Sequence, residues 1–178
     1  MFERYIISQL AAWKTDTNRK PLVVHGARQV GKTWALKYFG REYFGDVAYF
    51  SLDKDESGLC DVFRTTKDPQ RIIQHLSFLH GKKIEPQTTL LILDEIQECN
   101  EALNALKYFC EEAPEYAVAC AGSLLGIYLN HVGKSFPVGK VNHLYMYPLT
   151  FTEFLRTKDP AMHEYMHSID KIKEIITI

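Results

Sequence analysis

The sequence contains one stretch whose residue types and spacing suit the binding of phosphate groups. It consists of Gly26, Ala27, Arg28, Gln29, Val30, Gly31, Lys32 and Thr33, which fit the P-loop pattern G-x-x-x-x-G-K-[ST] at every fixed position. Phosphate oxygens accept hydrogen bonds from several backbone N–H groups, and a helix N-terminus supplies such groups with a favourable dipole. Gly26 and Gly31 allow backbone angles and a close approach that a Cβ would obstruct. An ordinary glycine-bounded turn with an exposed lysine is the alternative interpretation.

The flanking residues favour the phosphate-binding interpretation. A short apolar run, residues 22–24, precedes the loop, and a helical pattern that begins at Trp34 follows it. The order strand, loop, helix is the context in which a P-loop holds a nucleotide. In that context Lys32 reaches the β- and γ-phosphates, and the hydroxyl of Thr33 ligates Mg²⁺. We therefore predict that residues 26–34 bind ATP or ADP, with Lys32 also taking part in catalysis.

A second stretch combines a buried strand with two carboxylates. Aliphatic residues at positions 90–93 lead directly to Asp94 and Glu95. Ligands of open parallel sheets bind at the C-terminal ends of the strands, and two adjacent acids would be costly if they were merely buried. Downstream of a P-loop the pair is typical of a Walker B element, in which Asp94 holds Mg²⁺ and Glu95 polarises the attacking water. A bare strand end is the alternative.

A polar residue, Ser123, follows a third apolar stretch at residues 116–121. We predict a catalytic role for Ser123, because a small polar side chain at a strand end could sense the γ-phosphate or hold the lytic water. Ser123 could also be the N-cap of a helix over residues 124–132. The two roles can coexist.

Hydrophobic periodicity and turn residues predict the elements that hold these side chains. Strands are predicted at residues 22–25, 47–52, 90–93, 116–121 and 142–147. Helices are predicted at residues 2–13, after the loop as far as Gly40, from Asp68 and Pro69 to Gly81, after a cap at Asn100, at 124–132, from Thr150, and at 162–176. The helix that ends before Gly81 has Ile72, Ile73, Leu76 and Leu79 on its core face. Thr150 and Glu153 have the spacing of a capping box.

Composition limits the class of protein. The chain has 178 residues, of which 46% are hydrophobic and 24% charged, as in a globular domain. A formal net charge of -1 gives no global field for binding nucleic acid. The N-terminal residues lack the pattern of a signal peptide, and no apolar run is long enough for a membrane span. The cysteines, Cys60, Cys99, Cys110 and Cys120, include no C-x-x-C pair, so we predict reduced, mostly buried thiols in the cytoplasm.

Taken together, these motifs resemble those of the AAA-plus ATPases, and more closely those of a prokaryotic group of AAA-domain ATPases. The stretches that carry the resemblance are residues 26–33, 94–97 (Asp-Glu-Ile-Gln), 121–123 (Ala-Gly-Ser) and 147–155, which begins Tyr-Pro-Leu-Thr. The resemblance implies an α/β fold of the P-loop NTPase type, a three-layer α/β/α sandwich with a five-stranded parallel sheet of order 5-1-4-3-2. It also implies an AAA-type ATP-binding domain over residues 1–156, with residues 157–178 as a helical extension.

The chain departs from this group in two respects. Members usually continue into a helical lid and a second C-terminal domain, so we expect the extension to begin a lid or linker. We expect the face where those parts would dock to serve a protein partner or self-association. AAA-plus proteins often place an arginine finger between the polar strand tip at Ser123 and the fifth strand. No arginine lies between Arg71 and Arg156, and Lys134 and Lys140 are the only long cations between that tip and the fifth strand. A lysine lacks the planar fork that suits a transferring phosphoryl group, so we expect slow hydrolysis.

Three functions are compatible with these features. A Mg²⁺-dependent ATPase is favoured because Glu95 beside Asp94 suits water as the nucleophile, with Arg28 as a candidate substitute for the finger. A nucleotide-binding switch or interaction module with little turnover is the alternative. A P-loop kinase is disfavoured, since the sequence has no second motif for binding an acceptor. DNA binding rests on analogy with AAA-plus relatives alone, and no membrane partner is expected.

Overall fold

The computed structural model describes residues 4–53, 58–122 and 137–176. Its centre is a parallel sheet in which the strands are ordered β2-β3-β4-β1-β5. The strands are β1 (Leu22–His25), β2 (Asp46–Ser51), β3 (Thr89–Asp94), β4 (Ala117–Ala121) and β5 (Asn142–Tyr145). This is the expected order 5-1-4-3-2 viewed from the other edge, so the predicted fold class is confirmed.

Helices cover both faces of this sheet. They are α1 (Tyr5–Thr15), α2 (Lys32–Tyr43), α3 (Leu59–Thr65), α4 (Pro69–His80), α5 (Asn100–Glu112), α6 (Phe151–Lys158) and α7 (Pro160–Ile176), with a short 3-10 turn at Ile96–Glu98. The 3-10 turn and α3 were not predicted, because both are too short to show a helical period. The predicted helix at 124–132 lies outside the described residues.

The side chains of the central strand β3 belong to two hydrophobic clusters, one on each face of the sheet. Every residue of β3 is buried. Leu90 and Ile92 pack with the side chains of α1 and α2, whereas Leu91 and Leu93 pack with those of α3, α4 and α5. This alternation is what a strand covered on both faces requires.

Several of the predicted helix caps are confirmed. Asp68 caps α4 by accepting a hydrogen bond from the backbone N–H of Gln70 at 2.9 Å, and Gly81 ends the helix in the left-handed conformation at φ 73°. Thr150 and Glu153 form the predicted capping box at the start of α6. None of the helices in the described part of the chain has the length and hydrophobicity that crossing a membrane requires.

Three predictions about the helices are wrong. Gly40 does not end α2 but lies inside it, where a Cβ would come within 2.5 Å of Val47 Cγ2, so glycine is needed for close packing on the sheet. Asn100 is the first residue of α5 rather than its cap, because the carbonyl of Cys99 already accepts the first helical hydrogen bond, from Leu103. Leu79 is exposed, since the core stripe of α4 ends earlier and Ile84 fills the next core position.

The prediction that all four cysteines are reduced thiols is also wrong. Cys60 of α3 and Cys99 form a disulfide, with their Cα atoms 5.9 Å apart. They meet because the unpredicted helix α3 packs against α5, directly beside Cys99. Cys110 and Cys120 are free thiols, and burial raises the pKa of Cys120 far above the ordinary thiol value.

Candidate functional site

The predicted phosphate loop connects β1 to α2 and has an irregular backbone. Gln29 and Gly31 are both left-handed, at φ 63° and 96°. Gly26 has φ 151°, and a Cβ at this position would overlap the backbone carbonyl oxygen of Met146. Glycine at position 26 is therefore required by contact with the chain that follows β5, as well as by the turn itself.

Lys32, at the first position of α2, is buried, with 7% of its surface exposed. Its ammonium group donates to the backbone carbonyls of Gly26 at 2.8 Å and Ala27 at 2.7 Å. Burial lowers the pKa of Lys32, and the nearby charges of Glu95 and Asp94 partly oppose that effect. The ammonium thus lies over the loop and donates to neutral carbonyl oxygens. Phosphate oxygens are anionic and would be stronger acceptors for it.

Thr33 joins the loop to the end of β3. Its hydroxyl donates to Asp94 Oδ2 at 2.7 Å, although the residues are 61 positions apart in sequence. The hydroxyl of Tyr49 donates to the same oxygen at 3.1 Å, and burial together with the charge of Asp94 raises the pKa of Tyr49. Tyr49 was not predicted as a site residue, since in sequence it is one aromatic residue of a β-strand.

Glu95 follows Asp94 and is held by a second residue that was not predicted. Its backbone is left-handed, at φ 49°, a conformation that costs a non-glycine residue about 1–3 kcal/mol. Gln97, only 5% exposed, donates from Nε2 to Glu95 Oε2 at 2.5 Å. The Oε1 atom of Gln97 is buried and has no hydrogen-bond partner in the described structure. The resemblance over residues 94–97 was the one sequence signal for Gln97.

These residues border a pocket of about 590 Å³. Its lining residues are Arg28, Gln29, Gly31, Lys32, Thr33, Trp34, Asp53, Glu95, Gln97 and Glu98. Among the other predicted residues, Gly26 and Ala27 contact Lys32, Asp94 contacts Thr33, and the carbonyl of Val30 faces Arg4. Ser123 lies outside the described residues, so its role stays a prediction. Trp34 is exposed at the rim, stacked on Tyr38.

Lys140 cannot act as a finger on the pocket of its own chain. It lies just before β5, at the N-terminal edge of the parallel sheet, whereas the loop follows the C-terminal end of β1. Its ammonium is bound to Glu111 Oε1 at 2.9 Å. Lys134 lies outside the described residues.

Two histidines, the buried His25 and the exposed His143, meet beside the start of the loop. His25 ends β1 and is 8% exposed. Its Nε2 lies 2.8 Å from Nδ1 of His143 on β5, and its ring stacks on Tyr145. Burial, with a smaller contribution from His143, lowers the pKa of His25 to about 4. His25 is therefore neutral at neutral pH, directly before the phosphate loop.

The parallel sheet, its strand order and the glycine loop between β1 and α2 define a protein of the P-loop NTPase class. The family model of the AAA domain matches residues 18–155. The chain therefore belongs to the AAA domain family, and its core is an ATPase-like domain. No curated protein sequence matches the chain.

Three solved structures that are similar to this chain share little sequence with it. C. elegans PCH-2 is 15% identical, with a TM-score of 0.44, and the match covers 79% of this chain and 41% of that one. AMPPCP-bound DnaA from Aquifex aeolicus is 13% identical, with a TM-score of 0.45, covering 97% and 59%. Pif1 helicase from Candida albicans is 11% identical, with a TM-score of 0.46, covering 84% and 40%. The chain thus matches 40 to 59% of the length of these proteins.

We predict that acid destabilises the fold through His25. Unfolded histidine has a pKa of 6.5, and His25 in the folded chain has a pKa of about 4. Between these values the unfolded chain binds more protons, so this part of the stability is complete above pH 6.5 and is lost as the pH falls towards 4. The loss is at most about 3.5 kcal/mol, since one pKa unit corresponds to about 1.4 kcal/mol.

The measurement is the free energy of unfolding by urea at several pH values in this window. His25→Gln should flatten the dependence on pH. His75→Gln, which replaces an exposed histidine of α4, should leave it as in the wild type. Equal slopes for the wild type and His25→Gln would contradict the prediction.

Proposed function

We propose that this chain binds ATP with Mg²⁺ at the loop of residues 26–33 and hydrolyses it slowly. The observation that carries the proposal is the hydrogen bond of 2.7 Å between Thr33 and Asp94. It brings the end of the glycine loop to the acidic end of β3, so that phosphate donors and acidic groups border the same pocket. Membership of the AAA domain family supports the same function. The preference for adenine over guanine is part of the proposal and rests on that family.

The loop supplies the donors for phosphate in this proposal. Backbone N–H groups at the start of α2 attract anions through the helix dipole. Lys32 would exchange the carbonyls of Gly26 and Ala27 for phosphate oxygens, which gain more from its charge. Arg28 lines the same pocket, and it could place a further positive charge near the phosphates.

Thr33 and Asp94 fit a Mg²⁺ ion by the chemistry of their oxygens. Mg²⁺ prefers carboxylate, hydroxyl and water oxygens. Asp94 Oδ2 already accepts two hydroxyl hydrogen bonds, from Thr33 and Tyr49, so it is a fixed acceptor beside the loop. When bound, Mg²⁺ would neutralise charge on the phosphate oxygens.

Glu95 is proposed as the general base for hydrolysis. It lines the pocket next to Lys32, and Gln97 fixes its carboxylate through the contact of 2.5 Å. Backbone strain at a residue with a chemical role is typical of active sites. Ser123 is proposed to act on the γ-phosphate or on the attacking water. Slow turnover is proposed because no arginine lies between Arg71 and Arg156 to serve as a finger.

A nucleotide-controlled interaction module is the second candidate function. One observation favours it: large apolar side chains are exposed on β5, α6, α7 and the chain between them. They are Tyr145, Tyr147, Leu149, Phe151, Phe154, Met162 and Tyr165. Exposed apolar side chains that are concentrated in one part of the chain favour an interaction site, so a protein partner or a second copy of the chain is proposed to bind there. DNA binding remains an analogy.

A cytoplasmic location is proposed on composition alone. The disulfide between Cys60 and Cys99 weighs against it, because disulfides are rare in the reducing cytosol.

We predict that Lys32→Ala weakens the binding of Mg²⁺–ATP by about 2 kcal/mol or more, because a charge-assisted contact to phosphate is lost. Isothermal calorimetry with a non-hydrolysable analogue measures the change. Lys107→Ala, which removes an exposed lysine of α5, is the matched control and should bind as the wild type does. Competition by GTP tests the preference for adenine. Equal affinities of the wild type and Lys32→Ala would refute the loop as the binding site.

We predict that Glu95→Gln keeps the affinity for ATP and lowers the steady-state rate of hydrolysis about 10²-fold or more, the loss expected for a general base. Wild-type turnover should itself be slow, on the order of one per minute, against roughly 1–10³ per second for typical enzymes. Glu112→Gln, which replaces an exposed acid at the end of α5 outside the residues that line the pocket, is the control and should retain the wild-type rate within a few fold. Hydrolysis by Glu95→Gln at the wild-type rate would exclude Glu95 as the base.

A further inference from the structure

Arg4 lies just before α1 and connects three segments that are far apart in the sequence. Its guanidinium donates from Nε to Glu153 Oε1 at 3.1 Å, from Nη1 to the carbonyl of Val30 at 3.2 Å, and from Nη2 to the carbonyl of Tyr147 at 2.7 Å. The side chain is 11% exposed. A guanidinium carries its donors in a rigid planar fork, so this single group can fix three acceptors relative to one another.

Glu153, in the first turn of α6, holds that guanidinium in place. The carboxylate is buried, and it also accepts from the backbone N–H groups of Tyr5 at 2.8 Å and Thr150 at 2.9 Å. Burial acts to raise the pKa of Glu153, but the hydrogen bonds from Thr150, Tyr5 and Arg4 outweigh it and keep the pKa below the ordinary value. The carboxylate is therefore charged, fully hydrogen-bonded and fixed to the start of α6.

The carbonyl of Val30 belongs to the loop that the proposed phosphate site uses. In a planar trans peptide the N–H group points away from the preceding carbonyl. Because the Val30 carbonyl faces Arg4, the N–H of Gly31 is turned to the opposite side, away from the guanidinium. Gly31 lines the pocket and has φ 96°. A glycine can change its backbone conformation at low cost, so an external contact is needed to keep this peptide in one orientation.

We propose that Arg4 is a positioning residue for nucleotide binding, which holds the Val30–Gly31 peptide so that the Gly31 N–H is available to a phosphate. Glu153 anchors Arg4, so the orientation of the Val30–Gly31 peptide depends on the position of α6. The proposal rests on the nucleotide function proposed above. Linkage between the two sites is reciprocal, so a nucleotide that favours this loop conformation also stabilises the first turn of α6.

The affinity for Mg²⁺–AMPPNP tests the first half of the proposal. Arg4→Lys keeps a positive charge beside Glu153 but lacks the fork that reaches the Val30 carbonyl at the same time. Its affinity should fall about tenfold or more, because one phosphate donor loses its fixed orientation. Arg71→Ala, which removes an exposed arginine paired with Asp68, is the matched control and should bind as the wild type does.

The coupling between Arg4 and Glu153 is tested by a second set of measurements. Glu153→Gln should weaken binding several-fold, and the double variant with Arg4→Lys should bind about as Arg4→Lys alone, since residues of one network act non-additively. Hydrogen exchange at residues 151–154 should slow when Mg²⁺–AMPPNP binds to the wild type and to Arg71→Ala. In Arg4→Lys the nucleotide should leave that exchange unchanged. An ion pair that only stabilises the fold would alter the exchange equally with and without nucleotide.

Circular dichroism first establishes that each variant is folded at the temperature of the titration. A tenfold loss in Arg4→Lys, together with loss of the nucleotide-dependent protection of α6, supports the proposal. Wild-type affinity in Arg4→Lys overturns the proposal, and so does a nucleotide-dependent slowing of exchange at residues 151–154 that is the same in Arg4→Lys as in the wild type. The proposed nucleotide function stands in either case. Failure of both the wild type and Arg71→Ala to bind Mg²⁺–AMPPNP overturns the nucleotide function and this inference together.

Discussion

The hydrogen bond from Thr33 to Asp94 is the contact on which the rest of the site depends. It crosses β4, which lies between β1 and β3 in the sheet. The residues of β4 that face α2 are alanines, at positions 117, 119 and 121. On the same face, Gly40 lets α2 approach Val47 and Leu90 without a Cβ in between. Small residues on both sides thus bring α2 close enough to the sheet for its first turn to reach the end of β3.

The site carries conformational and electrostatic costs that the surrounding structure offsets. Gln29 and Glu95 adopt left-handed backbone conformations, each at a cost of about 1–3 kcal/mol. The ammonium of Lys32 is buried, but two carbonyls accept from it. Strained and buried charged groups persist where neighbouring structure fixes them. Here that structure is the sheet beneath the loop, with Arg4 and Gln97 at its sides.

The sequence predicts the parts of this molecule that depend on local pattern. The glycine loop, the aliphatic run before Asp94, and the caps at Asp68 and Thr150 each depend on neighbouring residues, and the structure has them where they were predicted. The resemblance then supplied the strand order. What was missed depends on contacts between distant segments. From sequence alone Gly40 is typical of a residue that ends a helix, and its place inside α2 is explained by its packing against β2 and β3. The partners of Arg4 lie as far away as residue 153.

A crystal structure of the chain with Mg²⁺ and AMPPNP tests the central claim most directly. In the structure described here, Lys32 Nζ lies 2.8 and 2.7 Å from the carbonyls of Gly26 and Ala27. The account predicts that Lys32 leaves these carbonyls for the phosphate oxygens, and that Thr33 and Asp94 would hold the metal. A nucleotide bound away from residues 26–33, or a Lys32 that keeps both carbonyl contacts while the nucleotide is bound, would contradict it.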